Sequence, residues 1–148
     1  MAFVERRFEA KDFDEFRRLL DVGGSHGAYQ PNVWLIDSER GISFYELGGR
    51  GEMPASTGAP PNEYVLVVNG VVYRFDLRER MGKGRSGGIS YYCNIESIYW
   101  PSDGVLSLDE LLSLIREVLF ASAIARKRRI NLKYDVDEVF LDASRVGR

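Results

Sequence analysis

Three observations predict an α+β fold: a single antiparallel sheet of about six strands with two helices packed on one face. Short runs of β-branched and aromatic residues follow one another in pairs across turn signals. Two segments with helical apolar spacing lie outside those pairs. The length, 148 residues, suits one continuous core rather than two, so the expectation is a single domain over residues 1–148.

The first strand is expected at residues 3–8, where Arg6 and Arg7 mark an exposed or edge position. In "KDFDEFRRLLDVGG", Asp12 followed by Glu15 has the pattern of a capping box. Phe13, Phe16, Leu19 and Leu20 share one helical face, and Gly23 with Gly24 supplies the stop. Two apolar runs, 33–36 and 42–47, flank the polar turn "DSERG" and predict a hairpin. The stretch 48–62 is rich in Gly, Pro, Ser and Thr, has no periodicity, and reads as a long surface or functional loop.

A second hairpin joins 64–68 to 71–77 through Asn69-Gly70, a pair that tolerates positive φ and suits the turn matching strand twist. Another strand runs from Ile89 to about Trp100 and closes at Pro101. The principal helix follows. Ser107 and Glu110 form its capping box, Leu108, Leu111, Leu112, Ile115, Val118, Leu119 and Ser122 carry its repeat, and Arg126 to Arg129 suit the negative end of its dipole. Period-two spacing through Ile130, Leu132, Tyr134 and Val136 predicts a last strand.

Bulk properties narrow the function. A net charge of −2 provides no overall attraction to nucleic acid or to an anionic membrane. The single cysteine, Cys93, leaves no internal disulfide and points to a reducing compartment, taken as the cytoplasm. The first residues carry charge and no apolar secretory core, and no window is apolar enough to span a bilayer.

The loop "RMGKGRSGG" raises the question of phosphate binding. A P-loop needs a different glycine spacing and a helix after it, whereas a tyrosine-rich strand follows here, so the loop reads as a solvated hairpin connection. Arg74, Arg78, Arg80, Lys83 and Arg85 nevertheless form a basic ribbon beside Tyr91, Tyr92 and Tyr99, which admits a single-strand nucleic-acid reading; Asp76 and Glu79 interrupt it.

His26 is the only histidine and lies between glycines, while Cys93 sits within an apolar strand, where cysteine is a small hydrophobe more often than a nucleophile. One imidazole and one thiolate far apart do not make a zinc site, and "DVDEVFLD" lacks the ligand order of a calcium loop. No catalytic residue, cofactor or metal is therefore assigned. Asp135, Asp137, Glu138 and Asp142 read either as a solvated face or as an acidic patch for a basic partner.

The run "ISYYCNIESIYWPSDGVLSLDELLSLIREVLFASA" passes from an aromatic strand through a Pro/Gly turn into an amphipathic helix. With the size and mild acidity, it resembles the small acidic cytoplasmic immunity proteins of bacterial polymorphic toxin systems, including contact-dependent growth inhibition. That resemblance implies a non-catalytic inhibitor of a toxin domain, often a nuclease. Asp135, Asp137, Glu138 and Asp142 are then the expected partner-binding residues, with the 48–62 loop as an adaptable contact and Trp34 or Trp100 as alternative anchors. A homodimer through an edge strand is left open. The competing readings are a small-molecule-binding domain or enzyme with Tyr91, Tyr99, Arg74 and His26 in a pocket between sheet and helices, and the nucleic-acid module.

Overall fold

A computed structural model describes residues 3–23, 31–47, 63–83, 89–126 and 132–141. Its elements are β1 (Val4–Glu5), a 3-10 turn (Ala10–Asp12), α1 (Phe13–Gly23), β2 (Val33–Asp37), β3 (Ile42–Leu47), β4 (Glu63–Val68), β5 (Val71–Lys83), β6 (Ile89–Trp100), α2 (Leu108–Arg126) and β7 (Leu132–Leu141). They build an α+β fold with a single sheet, whose strands lie in sequence order. Strands β1 to β6 run antiparallel, as expected.

The turn chemistry is local and follows the sequence. Asn69 and Gly70 both adopt positive φ, 51° and 82°, and set Val68 opposite Val71. Gly41, at φ 66°, closes the β2–β3 hairpin beside them, and its carbonyl accepts the Asn69 backbone N–H at 2.9 Å. Ser107 caps α2 as expected: its Oγ accepts the Glu110 N–H at 3.1 Å, and Glu110 Oε1 accepts the Ser107 N–H at 2.8 Å. Those bonds hold the Glu110 carboxyl below its ordinary pKa.

The two helices cover opposite faces of the sheet, not one. On one face Leu111, Ile115, Val118 and Leu119 of α2 pack on Leu35, Phe44, Tyr64, Leu66, Phe75 and Ile98. On the other, Phe16 of α1 packs with Trp34, Tyr45, Leu47, Val65 and Val72. The cause is visible in the strands. In β2 and β4 both alternating sets are apolar, so each face of the sheet needs a cover.

Four further expectations change. The first strand shrinks to two residues, and the cap ahead of α1 moves one turn earlier: the Glu9 N–H donates to Asp12 Oδ2 at 2.9 Å, opening the 3-10 turn. β5 runs on to Lys83, so Gly82 and Lys83 belong to a long ribbon paired with Ser90 and Ile89 rather than to a loop. Most important, β7 joins the sheet parallel to β6. The 19 residues of α2 rise about 1.5 Å each and return the chain to the starting end of β6, which makes β6–α2–β7 a crossover unit.

Candidate functional site

The α2 side of the molecule carries the candidate surface. At about 100° per residue, Asp109, Ser113, Arg116, Glu117 and Phe120 share the outward side of α2, and all are exposed. Phe120 is 68% exposed, an aromatic ring standing where a solvated helix face ordinarily carries a polar residue. Beside this face lies an open groove of about 540 Å³, bounded by α2 on one side and by the ends of β3 and β4 on the other. Ile42, Val68, Leu106 and Leu114 supply its apolar floor.

Arg40, on the β2–β3 turn, ties that turn to the helix. Its Nε donates to Asp37 Oδ2 at 2.6 Å, its Nη1 donates to Glu117 Oε1 at 3.1 Å, and its Nη2 pairs with the other Glu117 oxygen. The guanidinium holds the buried Asp37 carboxyl below its usual pKa, chiefly through the side-chain hydrogen bond, and the two carboxylates push the arginine's own pKa up. The bridge fixes one wall of the groove against the other, since Asp37 and Glu117 belong to different elements.

A second polar constellation is internal. Glu63, Arg74, Asp76 and Ser97 are all buried, on the sheet face opposite α2. Arg74 Nη2 donates to Asp76 Oδ2 at 3.0 Å, Arg74 Nε lies 3.6 Å from Glu63 Oε2, and Ser97 Oγ donates to Asp76 at 3.1 Å. The Arg74 guanidinium also sits 4.1 Å from the ring centre of Tyr99, its cross-strand neighbour. Burial raises the Asp76 pKa above the ordinary value; Arg74 and Ser97 oppose the shift without cancelling it. Nearby, a register shift in β6 leaves Glu96 as an extra residue, and Arg78 Nε holds it at 2.8 Å.

The sequence-derived candidates distribute unevenly over this frame. Arg74 and Tyr99 do come together, while the side chain of Tyr91 and all of His26 lie outside the described residues. Asp135, Asp137 and Glu138 lie on β7, with Glu138 opposite Ser97; their side chains and the whole of Asp142 are outside the described residues, as is the 48–62 loop. At the described end of the ribbon expected to be basic, Arg74 is buried in ion pairs and Arg78 pairs with Glu96 at the surface. Cys93 is buried among apolar side chains, as a small hydrophobe would be. Trp34 is a core residue stacked on Tyr45, and Trp100 packs against the α2-side core.

Phe120 was missed. Its signal was present in the sequence as a bulky apolar residue, like Leu114, outside the expected helical repeat, and of the two only Phe120 is exposed. The groove had no such signal, because its two walls come from segments far apart in the chain (Arg40 and Glu117 are separated by 77). No family model, no curated protein and no solved structure matches the chain.

Proposed function

We propose that the chain is an immunity protein, which binds a cognate bacterial toxin domain in the cytoplasm and neutralises it without catalysis. The observation that carries this reading is Phe120, an exposed aromatic on the outward side of α2 beside an apolar groove. An aromatic anchor surrounded by charged side chains is the anatomy of an interface hot spot: the ring supplies most of the buried area, and Arg116, Glu117 and Asp109 supply a polar rim. The groove is too open to enclose a drug-sized molecule, which favours a macromolecular partner over a small ligand. Acidic residues on β7, among them Asp135, Asp137 and Glu138, extend the expected partner-binding set and would speed encounter with a basic domain.

The test is protection. Cells producing the C-terminal domain of a large secreted protein encoded beside this chain should stop growing, and co-expression of the chain should restore growth. The two purified proteins should elute together in a fixed ratio. Growth arrest that the chain does not relieve, with no complex formed, overturns the reading.

One observation favours a second reading, a ligand-binding or enzymatic domain. Asp76 is a buried carboxyl of raised pKa against an arginine stacked on a tyrosine, the kind of perturbed group that marks functional sites. A small metabolite that raises the melting temperature, and loses that effect in Asp76→Asn, would support it.

A further inference from the structure

We infer that the groove between α2 and the β3–β4 ends is a docking site for a basic amphipathic segment of the partner protein, one or two apolar side chains flanked by lysine or arginine. The inference rests on the reading of the chain as a protein-binding inhibitor and names where the partner's segment sits and what its chemistry is.

Charge complementarity laid over an apolar floor selects such a segment. Ile42, Val68, Leu106 and Leu114 line the groove with hydrocarbon, and its polar lining comprises Asp109, Glu110, Glu117, Arg40 and Ser113. The lining therefore carries a net of about two negative charges: Arg40 is paired with Glu117 and with Asp37, Glu110 accepts the Ser107 N–H from the edge of the rim, and Asp109 carries its open part. The N-terminus of α2 contributes roughly half a positive charge, which offsets only part of the carboxylates' field. A nucleic-acid backbone or an anionic lipid surface meets like charge here, which disfavours both. A neutral apolar segment gains the floor and leaves the rim unmatched. A segment bearing apolar and cationic side chains in alternation gains both.

Phe120 stands three residues beyond Glu117, on the same outward side of α2. A segment lying in the groove and leaving it along the helix passes over that ring, so groove and ring form one continuous contact with cation–π contacts available at its end. The Arg40 bridge holds the walls in place before binding, which lowers the ordering cost of association.

The experiment compares the full-length chain with Asp109→Lys, which reverses a rim charge, and Ser113→Arg, which puts a long cationic side chain into the groove. Neither residue makes a hydrogen bond of the α2 cap or belongs to the core, and Asp109 stands in the acidic first turn of the helix. Glu5→Lys, an exposed change of the same charge away from the groove, is the control. Circular dichroism first verifies that each variant is folded. Binding of the toxin domain should weaken at least about tenfold in both groove variants and not in the control, and the Asp109→Lys loss should fall mainly on the association rate and shrink at high salt.

Unchanged affinity in both groove variants overturns the inference and leaves the immunity reading standing. If the wild-type chain forms no complex, that reading falls, and a second arm decides the groove alone. The isotope-labelled chain is titrated with a short synthetic peptide of alternating leucine and lysine and with its leucine–glutamate counterpart. Amide shifts at Ile42, Val68, Leu106 and Ser113 with the cationic peptide only support the site. Shifts with both peptides, elsewhere, or with neither refute it.

Discussion

Replacing Arg74 with methionine removes a guanidinium from between two buried carboxylates while keeping much of the side chain's apolar volume. The Arg74, Glu63 and Asp76 side chains are 6%, 3% and 2% exposed, so solvent screens their interaction poorly. At an effective dielectric constant near 20, each ion pair at 3.0 Å or 3.6 Å carries roughly 5 kcal/mol of gross Coulomb energy. Part of that is already spent on desolvating the arginine. Taking one member from a buried pair costs about 3–5 kcal/mol, a large share of the total stability of an ordinary domain. For a chain of 148 residues this corresponds to a fall in Tm of roughly 6–20 °C.

The pH dependence supplies a second signature. Asp76 has a raised pKa in the folded protein, so the folded state holds this proton more tightly than the unfolded chain, and stability falls as pH rises through the folded value. Without Arg74 beside it the shift grows. The deficit of Arg74→Met should therefore be full near neutrality and shrink as pH falls and Asp76 takes up its proton. Urea unfolding of both proteins at about pH 5 and about pH 8, with m-values compared, measures this. A loss below about 1 kcal/mol at about pH 8 refutes the claim that these charges are dry and mutually dependent.

Three further outcomes are expected. Tyr45 is buried, and burial pushes its pKa up to about 12; the neutral phenol is favoured in the fold, so stability is retained below about pH 10 and lost as pH rises through about 12, a step that Tyr45→Phe should abolish in alkaline unfolding monitored by tyrosinate absorbance. Gly41→Ala forces a Cβ onto a residue at φ 66° and into the side-chain oxygen of Asn69, so it should lower stability by more than about 1 kcal/mol in a denaturant titration; a neutral result contradicts the turn geometry. Phe120→Ser should leave stability within about 0.5 kcal/mol, because the ring is exposed, yet weaken binding of the proposed toxin partner by more than about tenfold. Unchanged affinity would remove the proposed anchor.

What the sequence determined by itself was local. Asn69-Gly70 dictated its turn, because those two residues accept positive φ at little cost and the flanking runs supply the strands. Ser107 and Glu110 announced the start of α2, since the reciprocal bonds of the cap span only three residues. The α+β class with one sheet followed from the order of such units. The tertiary structure decided everything that depends on what lies across the sheet or at its edge. Val33 to Ile36 and Tyr64 to Val68 are apolar on both alternating sets, a pattern that requires cover on two faces without saying which helix takes which. The parallel seating of β7 depends on the length and path of α2, while alternation reads the same in either direction. Arg74 looked like part of a basic ribbon, because charge along a chain does not reveal the Glu63 and Asp76 that β4 and the strand's own alternation bring to it. The candidate groove follows the same rule. Phe120 was visible as an apolar residue out of phase, but the floor and the acidic rim exist only once the β2–β3 turn and α2 meet through Arg40 and Glu117, and contacts between distant segments leave no mark in the local pattern of either.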